Sequence, residues 1–345
     1  MSDKKKMGFF QKTKNMTDTN LLLAITMIVF FAMYIGAMIF EGKGFLKAQT
    51  FLNMLNANAA LIIASCGMSI VMITGSIDIS VGGVAALVSM CCAVYLDYHG
   101  GNVVTAIFIS LGIGLLFGLV QGYLVAYLDI QPFIVSLAGM FFARGMTTIV
   151  NTEPFNVQNE AFVKLKETRV IVPGLGSVNK LGKYVNAYVE IGVVVALILV
   201  IVLFCMLRWS KSGRNFYAVG GNQQSALMLG INVKKTKFMA HLLCSLLAGI
   251  GGFVYFMHVG SGSASHATGM EMNAIASSII GGTMLTGGVG NIIGTLFGVL
   301  SLSTIQNIVS SAGLDQAWWT GITIAAMLCL FLVIQSVVMS RKKKA

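Results

Sequence analysis

Asp78 stands between Ser76 and Ser80 in the run TGSIDISVGG, Thr74 to Gly83, and a carboxylate among hydroxyls is the arrangement in this chain best suited to handle a polar solute. An ionisable group near membrane depth is costly and reads as functional by default. The local reading is that Asp78 or Ser80 caps a helix starting near Gly82. The two readings are compatible, and both stay open. Other polar residues also lie inside apolar runs: Asn58, Gln121, Arg144, Glu190, His241, Asn273 and Gln306. Arg144 is expected to find a buried partner such as Asp78 or Asp129, or else to snorkel toward the membrane surface. Amides in several spans suit a neutral, hydroxyl-rich solute whose hydrogen bonds they replace, although the same residues also join helices. The candidate path residues are Asp78, Ser80, Asn58, Gln121, Arg144 and Asn273.

Other chemistries find no residues to carry them. His241 and His258 have no second ligand at metal spacing, and the six cysteines all fall in apolar runs, so neither a metal site nor a disulfide framework is expected. No G-x-x-x-x-G-K-[ST] phosphate loop occurs, so the chain has no such route to ATP hydrolysis and is expected to bind no cofactor itself. The run GGVGNIIG, Gly287 to Gly294, is not a dinucleotide fingerprint: its last gap is three residues and no strand precedes it. No nucleophile–base pair is evident, and the chain is not expected to be an enzyme.

The elements that position these residues are transmembrane. The chain has 345 residues, 56% hydrophobic and only 10% charged, against about 25% charged in soluble domains. The expected fold is an all-α polytopic bundle of about ten transmembrane helices with both termini cytoplasmic. The spans read as 21–40, 54–74, 82–98, 103–128, 133–151, 187–208, 237–259, 272–286, 289–311 and 317–338. Residues 1–20 and 339–345 form basic tails around a membrane domain at 21–338. The net charge of +11 marks topology and anionic lipid rather than nucleic acid. Five cations lie in the N-terminal tail (Lys4, Lys5, Lys6, Lys12, Lys14), six between Arg208 and Lys237, and four at Arg341–Lys344. Trp209, Trp318 and Trp319 fall where interfacial aromatics are expected. Glycines spaced by four (Gly114, Gly118, Gly122; Gly290, Gly294, Gly298) permit close helix crossing, within one subunit or between two. The mixed-charge loop at about 152–186 is placed outside the cytoplasm, as a partner contact or a solvated connector.

The polar stretch 209–236 is the exception in this apolar chain. Within it, Asn222 to Gly230 reads as one short helix with a stop at each end: Asn222 caps free N–H groups and Gly230 takes a left-handed conformation. So short a helix is not stable alone, since isolated helices below roughly 12–15 residues are marginal. A receiving surface is therefore expected, with Ala226 and Leu229 as apolar anchors.

Four blocks give the chain a family resemblance: TGSIDISVGG, QPFIVSLAGMFFARG (Gln131 to Gly145), SGRNFYAVGGNQQSALMLGINV (Ser212 to Val233) and AIASSIIGGTMLTGGVGNIIGTLFGV (Ala274 to Val299). From about residue 51 to 338 the chain resembles the permease subunits of bacterial ABC sugar importers of the ribose, xylose and galactoside group. SLAGMFFARG and AWWTGITIA look closest to one permease of the galactofuranose importer. Asn273 differs, since relatives commonly carry aspartate there. The resemblance implies a multi-pass protein of the bacterial inner membrane. Its implied partners are a second permease (the same chain or another), ATP-binding subunits that use ATP and Mg, and an extracytoplasmic sugar-binding protein. It also makes 209–236 the coupling loop, with Asn222, Ala226, Leu229 and Gly230 seated on the ATPase. The alternatives are an ABC permease for nucleosides or another small polar solute, and a self-contained secondary transporter.

Overall fold

In the computed structural model the described residues are 18–41, 45, 47–178, 184–314 and 316–344; the basic residues read at positions 4–14 lie outside them. Asp18–Glu41 (α1), Ala48–Ile73 (α2), Val81–Tyr98 (α3), Val103–Ala126 (α4) and Pro132–Val150 (α5) come first. A small extramembrane segment follows: strand Phe155–Asn156 (β1), helix Glu160–Glu167 (α6) and the antiparallel pair Arg169–Val178 (β2) and Tyr184–Glu190 (β3). Then come Ile191–Trp209 (α7), Lys211–Gly221 (α8), Gln223–Met228 (α9), Val233–Val259 (α10), strand Ser261–Gly262 (β4, paired with β1), Met270–Ile280 (α11), Ile292–Ser311 (α12) and Ala317–Lys344 (α13).

Among the described residues nine helices are long and apolar enough to cross a membrane. The expected span 272–286 is not among them. It is α11, 11 residues long, or about 16 Å, roughly half the hydrocarbon thickness. The stretch Ala274–Ile280, apolar except for Ser277 and Ser278, carried the span signal, but the glycines behind it end the helix: Gly281 is its C-cap, and Gly282 has φ +89°. A half-helix within the bundle leaves terminal carbonyls that need partners. Thr26 Oγ1 on α1 donates to the Ile280 carbonyl at 2.8 Å, and Gln335 Nε2 on α13 to that of Ile279 at 2.6 Å. A hydroxyl cluster closes its inner side, with Ser69 donating to Ser278 at 3.0 Å and 2.6 Å from Thr295 Oγ1.

The bundle is built round α2, whose apolar window is 89% buried, against 11% for that of α13 at the edge. The glycine ladders serve packing inside the chain. A Cβ on Gly114 would lie 2.7 Å from the Ser245 carbonyl oxygen, one on Gly118 2.9 Å from Leu242 Cα, and one on Gly122 3.1 Å from the Phe238 carbonyl oxygen, so α4 lies directly on the α10 backbone. Gly294 and Gly298 sit in the same way against Gly281 and Ser277. The extramembrane segment is held to the bundle by stacking of Phe162 on Phe256, centroids 4.3 Å apart.

Candidate functional site

The polar stretch after α7 contains two helices in tandem, where one was expected. Ser210 starts α8, its hydroxyl accepting from Gly213 N–H at 3.0 Å. Asn222 then caps α9 by accepting from Ser225 N–H at 2.8 Å. Both N–H groups following Leu229 fold back, Gly230 to Leu227 O at 2.9 Å and Ile231 to Ala226 O at 3.0 Å, with Gly230 at φ +76°. That is a Schellman stop, so both expected stops are present. Of the two expected anchors, Leu229 faces outward and Ala226 does not. Ala226 is only 2% exposed and packs inward, whereas Leu227, Met228 and Leu229 are 63%, 81% and 79% exposed. Three adjacent large apolar side chains at the end of a polar helix pair form the outward surface.

Helix α8 is seated by its other face, through buried Phe216 and Val219. Near its end Gly220 lies so close to the Ile73 carbonyl at the end of α2 that no side chain fits between them. The same carbonyl accepts from Gly288 N–H at 2.8 Å, with Gly287 and Gly288 both at positive φ. Tyr217 completes this clasp, its hydroxyl donating to the Gly290 carbonyl at 2.8 Å. Burial pushes that phenol up to about 12. Thus α8 touches at once the end of α2 and the turn between α11 and α12. Sequence reading missed Tyr217, Gly220 and Gly288 as a set; the paired glycines at 220–221 and 287–288 were the available signal.

Directly after Ile73 comes the break that carries Asp78. Its carboxylate is fully buried and accepts from the Ser80 backbone N–H at 2.9 Å and the Ser80 hydroxyl at 2.6 Å. Gln121 Nε2 on α4 donates to Ser80 Oγ at 2.8 Å, and Ser245 Oγ on α10 reaches the other carboxylate oxygen at 3.4 Å. Ser80 occupies the N-cap position of α3 without a side-chain capping bond; the acceptor at that start is Asp78. In this conformation Asp78 and Ser80 are therefore sealed inside the chain, joining the break to α4 and α10. They do not form an open wall, because Gln121 and Gly139 close over them.

Arg144 pairs with neither expected acid. Its guanidinium donates to the carbonyls of His266 and Ala267, the latter at 2.8 Å. Ala267 has φ +51°, a strained conformation for alanine that this clamp helps to hold. Asp129 instead faces Lys234 at 3.8 Å, with both side chains largely exposed. Asn58 and Asn273, far apart in sequence, line one cavity of about 290 Å³ with Tyr255, Ser265 and Thr268. Asn58 Nδ2 is fixed by Met54 O at 2.8 Å and Ser303 Oγ at 2.9 Å. The rest of the lining is apolar, with Ala57, Ala60, Leu61, Ala267 and Met270, and a small cleft that combines amides and hydroxyls with such a surface can hold a neutral polyhydroxylated molecule. Of the six path candidates, only Asn58 and Asn273 meet there; Arg144 shapes the 263–269 loop that forms its rim.

The chain was compared with known proteins. A family model described as branched-chain amino acid transport system, permease component, matches residues 50–332. The inner membrane ABC transporter permease protein YjfF of Escherichia coli (strain K12) is 35% identical over 320 residues, covering 93% of each chain. The fructose import permease protein FruG of Bifidobacterium longum (strain NCC 2705) is 34% identical, over 82% of this chain and 81% of that protein. The ribose import permease protein RbsC of Escherichia coli (strain K12) is 32% identical, over 79% and 81%. No solved structure matches the chain. A match through nearly all the membrane bundle, with relatives above 30% identity along most of their own length, places the sequence, and the chain belongs to this family of transport-system permease components.

Proposed function

We propose that this chain is the membrane-spanning permease of an ATP-driven sugar importer of the bacterial inner membrane, and that its tandem helices α8 and α9 receive a separate ATP-binding chain. The observation that carries this reading is the outward trio Leu227, Met228 and Leu229 on a capped polar helix pair, in a sequence with no phosphate loop. Exposed apolar groups of this kind mark a docking surface. Counting the 263–280 segment as one crossing gives an even number, which supports both basic tails and the 209–236 stretch sharing one side, and their positive charge favours the cytoplasmic side. The segment 151–190 then faces outward, where a sugar-binding protein delivers its cargo. ATP and Mg belong to the partner.

The family description names branched-chain amino acids, but relatives aligned over about four fifths of the chain are named for fructose and ribose. The cavity at Asn58 and Asn273 favours the sugar: it offers neutral amides and hydroxyls rather than a charge for an amino acid's carboxylate. A pentose or hexose is the expected cargo, with galactofuranose favoured by the SLAGMFFARG and AWWTGITIA blocks. Docking moves the pathway only if the ATPase binds two states of α8 unequally. The clasp of Gly220 on Ile73 provides the mechanical link, since a shift of α8 displaces the break that holds Asp78. Uptake of labelled monosaccharides by cells expressing the importer, with and without ATP depletion, tests the reading. ATP-dependent uptake supports it; uptake driven by an ion gradient without ATP contradicts it. Competition by nucleosides but not by sugars would move the cargo to the alternative class.

A further inference from the structure

A cleft of about 380 Å³ opens between the first turn of α1, the end of α7, helix α8 and the start of α12. The transport reading does not use it. Two arginines line it. Among the described side chains Arg214 makes one hydrogen bond, to the Trp209 carbonyl at 3.1 Å, and its other donors are available to a ligand. Among the described side chains Arg208 has no hydrogen bond or ion pair, and none of those lining the cleft is a carboxylate. The remaining polar wall is neutral, with Thr19, Asn20, Asn291 and Tyr217, whose hydroxyl is already committed to the Gly290 carbonyl. The other wall is apolar, formed by Phe204, Leu207 and Ile292. Trp209, 65% exposed, stands at the end of the same helix, and exposed tryptophan at a span end marks the membrane–water boundary.

We propose that this cleft binds the phosphodiester headgroup of an anionic phospholipid. Two guanidinium groups match phosphate oxygens, and basic pockets between membrane helices are sites for such headgroups. The half-apolar wall selects the lipid over soluble phosphate, because it gives the glycerol and upper acyl chains a surface that a free anion cannot use. Bound there, the lipid ties α8, which adjoins the docking surface, to α1 and α12. The inference rests on the chain's place in a membrane and not on what it transports.

The test uses the purified full-length chain in nanodiscs of phosphatidylcholine, with or without phosphatidylglycerol. Native mass spectrometry reads retained lipid, and thermal melting reads stability. The wild type is expected to retain phosphatidylglycerol selectively and to melt higher with it. Each arginine contributes about fivefold, so the double variant Arg208→Gln/Arg214→Gln is expected to bind roughly 30-fold more weakly. Arg208→Gln alone breaks no described contact and is expected to cost about fivefold with an unchanged melt in pure phosphatidylcholine. Lys234→Gln/Lys235→Gln, in the same basic stretch but outside the cleft, is expected to retain wild-type selectivity. Wild-type selectivity in the arginine variants overturns the proposal. So does inorganic phosphate raising the melt in phosphatidylcholine as far as phosphatidylglycerol does, which assigns the cleft to a soluble anion.

Discussion

Gly220→Ala tests how motion at the docking surface would reach the membrane path. The added Cβ would stand 2.6 Å from Gly288 N and even closer to the Ile73 carbonyl oxygen. Real Cβ contacts essentially never fall below 3.0 Å, and both neighbours are backbone, so no side chain can rotate away. Either α8 withdraws from the end of α2, or the Gly288–Ile73 hydrogen bond opens. Overpacking of this kind costs about 1–3 kcal/mol, and the lost bond costs about 1 kcal/mol. Whichever route relieves the clash, the clasp shifts toward its open form by about 1–3 kcal/mol, roughly 5- to 160-fold. The neighbouring Gly221 gives an internal control, because its Cβ would meet nothing within 4 Å. The assay is sugar uptake per copy of membrane-inserted permease, alongside ATPase activity of the purified importer. Gly220→Ala is expected to lose most uptake while ATP hydrolysis continues, and Gly221→Ala to behave as wild type. Equal uptake by the two variants at equal abundance refutes the clasp as the link.

Further substitutions separate docking from folding. Met228→Asp and Leu229→Asp, at exposed positions, are expected to abolish uptake at normal abundance, measured by transport and quantitative blotting. Ala226→Asp places a charge at a buried position and is expected to reduce the folded protein itself, read as a lower melting temperature. Asp78→Ala leaves the Ser80 N–H and hydroxyl without their acceptor and is expected to cost about 1–3 kcal/mol of stability; Asp78→Asn, which keeps an oxygen, should lose less in the same thermal assay. Asn58→Ala, at the cavity wall, is expected to raise KM for the sugar several-fold with little change in abundance.

The features legible in the sequence were those with a local physical signature. Gly114, Gly118 and Gly122 repeat at helical spacing, and they do lie against one partner helix. Asn222 and Gly230 mark a cap and a stop that residue type alone announces, and both are present. Other features depend on tertiary structure and leave no such trace. Lys211–Gly221 is polar, with three glycines, and looks like a loop; it is helical because Phe216 and Val219 bury against the bundle. Apolar composition made 272–286 look like a full span, but positive-φ glycines and hydrogen bonds from distant Thr26 and Gln335 define a half-helix. Arg144 did find a buried partner, but backbone carbonyls at His266 and Ala267 carry no side-chain signal. Asn58 and Asn273 were visible as isolated amides, and only the fold brings them to one cavity.

Docking of a separate ATP-hydrolysing chain on α9 is the central claim, and cysteine cross-linking tests it most directly. In a cysteine-free background, single cysteines at positions 228, 226 and 184 sample the outward face of α9, its buried face and the opposite end of the molecule. The account predicts a cross-link from position 228 to the ATP-binding subunit, with a yield that changes on adding ATP, and none from 226 or 184. Absence of the product at 228 in an importer that still transports, or its appearance at 184, would contradict it.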